Sequence, residues 1–305
     1  MKVFITGATG LIGVRLVHAL LARGDQIVAL SRNRAAAQTK LGSTADIVQG
    51  NPTQADSWMD AVSGCDAVVN LAGESLFAHR WKSDFKQTLR DSRIVSTRNI
   101  VAAIAKAQAR PSVLISGSAI GYYGSSETAE FTEFSPPAKD DFLAQLCVDW
   151  EAEALKAFEL GIRIVLLRTG VVLDPLGGAL KQMLLPFKLF MGGRVSSGRQ
   201  WVSWIHHADE IGLILFSLDN PKESGPLNAA APKPVTNAEL ARAIGSALRR
   251  PSFMPTPGFA LKLMLGDVAE LVTQGQLVLP KKAQELGYAF KYPEIGPALA
   301  ELLAG

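Results

Sequence analysis

Cysteine is nearly absent: Cys65 and Cys147 are the only two in 305 residues. That excludes a disulfide framework and a cysteine-built metal site, and it fits a reducing, cytoplasmic compartment. Histidine is scarce as well, four in the chain, and no two of them stand at i, i+4 around an acid, so no metal site is expected. Charged residues make up only 19% of the chain, with 31 Lys and Arg against 28 Asp and Glu. The basic residues are scattered rather than blocked, which leaves no electrostatic footprint for a nucleic acid. No apolar run approaches the ~18 residues of a membrane span, because the stretch around Met183 to Met191 is broken by Pro186 and Lys188. The first residues, MKVFITGATG, pass directly into a strand pattern without a signal-peptide core, so neither export nor a membrane partner is expected.

An apolar share of 48% points to a folded globular chain, and the length allows one large α/β unit or two lobes. Lys2 to Thr6 reads as a strand, Gly7, Gly10 and Gly13 as a turn, and Leu11 to Arg23 as a helix stopped at Gly24. Gln26 to Leu30 is a second strand one helix away, as a parallel βαβ crossover requires. Strands at 46–49, 67–71, 113–116 and 163–168 alternate with helices at about 55–62, 82–108 and 140–160. The pattern predicts a doubly wound parallel Rossmann sheet that six strands complete. Beyond Gly170, glycine and proline break the alternation. The reading is a dinucleotide-binding domain over 1–170, with a sheet-completing segment returning from 200–230, and a smaller C-terminal substrate lobe over 171–305. A cleft between the two is the expected place for a small-molecule substrate.

Gly7-Ala8-Thr9-Gly10-Leu11-Ile12-Gly13 carries glycines at i, i+3 and i+6 between a strand and a helix. Small residues there let the backbone approach a pyrophosphate, which the free N–H groups of the helix N-terminus favour. An NAD site usually has a carboxylate at the end of the second strand for the ribose 2′-OH. This chain has Leu30-Ser31-Arg32-Asn33-Arg34. A hydroxyl at Ser31 and a guanidinium at Arg32 suit a 2′-phosphate, so NADP is expected as cofactor.

With GATGLIG at 7–13, SR at 31–32, NLAGE at 70–74, SGSAIGYYG at 116–124, LRTGVVL at 167–173 and WIHHAD at 204–209, the chain resembles the extended short-chain dehydrogenase/reductases. More closely it is similar to their atypical branch, the YfcH-like NAD(P)-dependent epimerase/dehydratases, over nearly its whole length. The resemblance implies that Leu71, Ala72 and Gly73 line the cofactor, that Arg93 reaches it from the long helix, and that Ser116, Gly117 and Val171 lie beside its nicotinamide half. Arg93 shares a helix face with Leu89 and Thr97, so it points inward and wants an anion, either a ligand or a structural carboxylate. Many relatives pair through their two long sheet-covering helices, which implies a homodimer, although these helices are polar here.

Most of that superfamily pairs a tyrosine with a lysine four residues later, one face of a helix carrying both. Here Cys147 and Glu151 occupy those two slots. Glu151 would raise the pKa of a nearby thiol, so Cys147 reads as buried packing rather than a nucleophile. Ser118 stands at the position resembling the catalytic serine, and Tyr122 or Tyr123 either replaces the missing acid/base or packs the nicotinamide pocket. His206 and His207 read as structural. Two functions follow: an NADP(H)-dependent oxidoreductase or epimerase/dehydratase acting on a small carbonyl or nucleotide-sugar substrate, or a non-catalytic NADP(H)-binding redox sensor.

Overall fold

Val3, Phe4, Ile5 and Thr6 have no exposed surface, and a strand apolar on both faces must lie inside a sheet covered on both sides. The computed structural model describes residues 1–304. Its first half runs β1 (Lys2–Thr6), α1 (Leu11–Ala22), β2 (Gln26–Ser31), α2 (Arg34–Leu41), β3 (Asp46–Gln49), β4 (Ala67–Asn70), α3 (Ser83–Lys106), β5 (Val113–Ala119), β6 (Glu130–Phe131), α4 (Phe142–Leu155) and β7 (Arg163–Thr169). The segment expected as a helix near 55–62 is a single 3₁₀ stretch, Ser57–Val62, capped by the Asp56 carboxylate.

The second half runs β8 (Val171–Leu173), α5 (Gly178–Lys188), β9 (Trp201–Val202), β10 (Trp204–His206), α6 (His207–Asp219), β11 (Gly225–Ala229), β12 (Val235–Thr236), α7 (Asn237–Leu248), α8 (Gly258–Leu265), α9 (Glu270–Thr273), β13 (Leu277–Val278), α10 (Lys281–Glu285) and α11 (Ile295–Leu302). The main sheet has seven strands in the order β11-β7-β5-β4-β1-β2-β3. Every pairing within it is parallel.

β11 adds a seventh strand to the six that the alternation predicts, and it lies within the 200–230 segment expected to return to the sheet, without a local signal of its own. Its sequence, GPLNA, opens on residues that punctuate turns and contains no β-branched residue, so nothing in it signals a strand. Proline is tolerated there because β11 is an edge strand, with β7 as its single neighbour in the sheet.

One face of the sheet is covered by α1 and α6, which bury Leu16, Leu20, Leu213 and Ile214 completely; the other is covered by α3, with Ile100 and Ile104, and by Trp58. Each such side chain contributes about 1.5–3 kcal/mol relative to exposure. A separate cluster in the second half joins Leu180, Trp204, Leu240 and Leu299. The halves are tied by an ion pair between Arg15 on α1 and buried Asp174 just after β8.

A buried polar chain fixes the sheet centre to its helices. Thr6 Oγ1 donates to Asn70 Oδ1 at 2.6 Å, Asn70 Nδ2 donates to Thr97 Oγ1 at 2.8 Å, and Trp150 Nε1 donates to the same hydroxyl at 2.9 Å. These bonds set β1, β4, α3 and α4 in one register at the carboxyl edge of the sheet, where ligands of open α/β folds bind.

Candidate cofactor and catalytic site

The turn after β1 has room for glycine alone at two of its three positions. Gly7 sits at φ +68°, and a Cβ on it would lie 2.6 Å from the carbonyl carbon and oxygen of Leu71. A Cβ on Gly13 would lie 2.2 Å from the Gly7 carbonyl oxygen, so the first turn of α1 packs directly on the preceding loop. Gly10 caps α1 without any side-chain hydrogen bond, which leaves the amides of the first turn facing the loop mouth. The Thr9 carbonyl accepts from Lys40 Nζ at 3.3 Å. Leu11 turns its side chain toward Gly177 and Gly178 of the second half, and Ile12 packs on the core, so these two offer a ligand their amides only.

At the end of β2 the Ser31 hydroxyl donates to the Asn33 carbonyl at 3.1 Å. Asn33 in turn caps α2 by accepting from the Ala36 amide at 3.0 Å. Arg32 and Arg34 are exposed, and among the described residues neither guanidinium has a hydrogen-bond or ion-pair partner. Together with Gln38 and Gln49 they line an open hollow of about 610 Å³.

Leu71, Ala72 and Gly73 follow β4, with Gly73 exposed and the Arg93 guanidinium lying against it. Arg93 donates to the carbonyls of Glu74 at 2.9 Å and Leu89 at 3.2 Å and lies 5.4 Å over the Trp150 ring. Burial opposes its charge, and among the described residues no carboxylate pairs with it. Ser116 is fully buried, and Gly117 lies so close to Trp150 that a Cβ would come within 3.0 Å of the indole. Val171 opens β8, half-buried.

The slots usually held by tyrosine and lysine contain a closed ionic cluster. Arg168 on β7 grips Glu151 on α4 with two bonds of 2.8 Å, Nε to Oε1 and Nη2 to Oε2. Ser118 Oγ donates to Glu151 Oε1 at 2.6 Å. Arg168 Nη1 donates to the Tyr123 hydroxyl at 2.9 Å, and that hydroxyl donates to Asn228 Oδ1 at 2.7 Å. The Tyr122 ring lies under the guanidinium, 3.5 Å from its centre. Burial works against the charge on Arg168, but the bonds to Glu151 outweigh it and the guanidinium holds its proton more tightly than usual. Burial pushes the Tyr123 phenol up to about 12, with Arg168 offsetting part of the rise. The Cys147 thiol, also pushed to about 12 by burial and then by Glu151, donates to the Ala119 carbonyl at 3.6 Å.

Of the tyrosines offered as acid/base, Tyr123 therefore has its hydroxyl committed on both sides, whereas the Tyr122 hydroxyl has no protein partner among the described residues.

His206, His207 and Glu301 come close enough together to suggest a metal site. The bonding argues against one. His206 Nδ1 accepts from the Ala208 amide at 3.0 Å, which puts the ring proton on Nε2, and Nε2 meets Glu301 Oε2 at 2.9 Å. A metal on Nε2 would require that proton on Nδ1, against an N–H.

The profile of the NAD dependent epimerase/dehydratase family matches residues 3–230, and a domain of unknown function (DUF1731) matches residues 256–302. The chain belongs to the NAD dependent epimerase/dehydratase family. Within it, the chain is 44% identical over 305 residues to the chloroplastic epimerase family protein SDR39U1 homolog of Arabidopsis thaliana, covering 99% of this chain and 87% of that one. The crystal structure of human epimerase family protein SDR39U1 (isoform 2) with NADPH superimposes with a TM-score of 0.90 at 35% identity, covering all of both chains. A UDP-glucuronic acid 4-epimerase from Bacillus cereus shares the fold, with a TM-score of 0.81 at 16% identity.

No motif marks Arg168, Asn228 or Glu133, yet Arg168 is the one charge in the buried stretch IVLLR of β7 and demands a partner. Glu151 was singled out only for the slot it fills, not as that partner. Asn228 lies in β11, which no local pattern delimits, and its amide donates to Glu133 Oε1 at 3.1 Å.

Proposed function

We propose that the chain binds NADP(H) across the corner between β1 and α1 and acts, in a reducing cytoplasmic compartment, as an NADP(H)-dependent oxidoreductase or epimerase/dehydratase on a small carbonyl or nucleotide-sugar substrate. The observation that carries the cofactor reading is the unpaired Arg32 guanidinium at the end of β2, where a carboxylate would select NAD. The human relative crystallised with NADPH supports it. Gly7, Gly10, Gly13 and the first-turn amides of α1 would hold the pyrophosphate, Ser31 and Arg32 the 2′-phosphate, and Arg93 an anionic or carbonyl oxygen beside Gly73.

When bound, NADP(H) supplies or removes a hydride. Ser118 has its one proton committed to Glu151, so its oxygen offers lone pairs and would orient a substrate hydroxyl rather than polarise a carbonyl. Tyr122 is the tyrosine free to exchange a proton. Incubating the protein with NADPH or NADP⁺ across carbonyl compounds and nucleotide sugars tests this reading. Turnover is expected, and Tyr122→Phe should lower it roughly 10²-fold while leaving cofactor affinity unchanged. The second reading, a redox sensor, is favoured by the closure of Ser118, Tyr123 and Cys147 into protein bonds. It predicts no turnover and unequal affinities for NADPH and NADP⁺.

A further inference from the structure

Much of the large apolar surface this chain exposes is concentrated in one region of the second half. Phe190 and Met191, just past α5, are 55% and 49% exposed; Phe253 and Met254 are 76% and 44%; Phe259 and Leu263, one turn apart on α8, are each 79%. Backbone bonds join the first two pieces, the Met254 amide donating to the Gly192 carbonyl at 3.1 Å and the Thr256 amide to the Arg194 carbonyl at 2.9 Å, and the start of α8 adjoins them where Gly258 lies against Ser196. The Arg250 guanidinium lies 4.3 Å over the Phe190 ring. Phe190 itself is held at φ +61°, a conformation costly for a bulky residue, with its ring at the surface.

The charge of the same two segments has one sign. Residues 175–208 contain four Lys and Arg and no Asp or Glu, and so do residues 240–266; all 28 acidic residues of the chain lie elsewhere. All of these cations are exposed, and among the described residues Arg199 alone is in an ion pair, with Glu127. Apolar side chains projecting from a mainly basic surface, with Glu127 at Arg199 and Glu270 beside Phe259 and Lys262 as acids at its margin, match the interfacial zone of a bilayer with anionic headgroups: rings and aliphatic chains enter the acyl boundary while lysine and arginine meet the phosphates.

We propose that this surface, formed by the end of α5, the 250–257 segment and α8, docks the protein on anionic membranes. No helix among the described residues is long and apolar enough to cross a membrane, and adsorption requires none. An uncharged apolar partner would leave the cations unanswered, and an acidic protein without apolar anchors would leave the aromatic rings in water.

Co-flotation of the full chain with vesicles tests the proposal. Binding to phosphatidylcholine vesicles containing about one-third phosphatidylglycerol should exceed binding to pure phosphatidylcholine by at least roughly tenfold and should fall as salt is raised. Phe190→Ser/Phe253→Ser/Phe259→Ser and, separately, Lys188→Glu/Lys262→Glu should each abolish that excess while NADPH binding, which reports the fold, is retained. Equal or absent binding to the two vesicle types overturns the proposal. So does binding that both variants keep, or concentration-dependent self-association in the ultracentrifuge that the triple variant removes, which would assign the surface to a second copy.

Discussion

Glu151 and Arg168 have side chains only 7% and 4% exposed, and each satisfies the other's charge. Removing one member of such a pair leaves an unanswered charge in the core, so Glu151→Ala should destabilise the fold by about 3–5 kcal/mol, measurable by urea unfolding. Tyr123→Phe takes a hydroxyl from the same cluster and should register as lost stability, in contrast to Tyr122→Phe, whose effect belongs to turnover. Glu210 is a further buried acid. Its Oε1 accepts from the Thr169 hydroxyl at 2.9 Å, and burial pushes its pKa up to about 8. The folded state thus keeps a proton that the unfolded state releases near the ordinary glutamate value of about 4.3, so this group's contribution is full below that value and is lost as pH rises toward 8. Glu210→Gln cannot ionise, and its stability relative to the parent should rise between pH 5 and pH 8 in paired urea titrations; a constant difference would contradict the assignment.

At the scale of the element, α1 and the loop before it form the most constrained unit. Gly13→Ala forces a methyl to within 2.2 Å of the Gly7 carbonyl unless the helix moves away. The expected result is about 1–3 kcal/mol of lost stability and at least roughly tenfold weaker NADPH binding, read by thermal melts and fluorescence titration. This corner was legible in the sequence because glycine spacing records steric demands directly. The strands β1 to β5 and β7 were legible too, through runs such as KVFIT and RIVLLRT that only a doubly covered sheet tolerates. GPLNA was not, since an edge strand needs neither β-branched residues nor every amide, and its identity comes from pairing with a strand about sixty positions earlier. The same long-range pairing conceals Asn228 from sequence reading.

For the molecule as a whole, the opening half is encoded locally and the second half by contacts between distant segments, such as Arg15 with Asp174 and Leu11 with Gly177. That is why the strand, glycine turn and helix of the β1–α1 corner could be read residue by residue while the surroundings of Cys147 and Glu151 could not: those two signal a departure, but only the folded chain shows that Arg168 and Asn228 close the space around them. Basic residues stay scattered along the sequence, but acidic residues are missing from the two segments that carry the exposed rings. In the proposed binding mode the Arg32 guanidinium, just past β2, reads the phosphate that distinguishes NADP from NAD. Titration calorimetry of NADPH and NADH against the parent chain and Arg32→Asp tests it most directly. The parent should prefer NADPH, and the substitution should cost about 1–3 kcal/mol of NADPH binding with NADH little changed. Equal affinity of the parent for both nucleotides, or an unchanged NADPH affinity in Arg32→Asp, would contradict it.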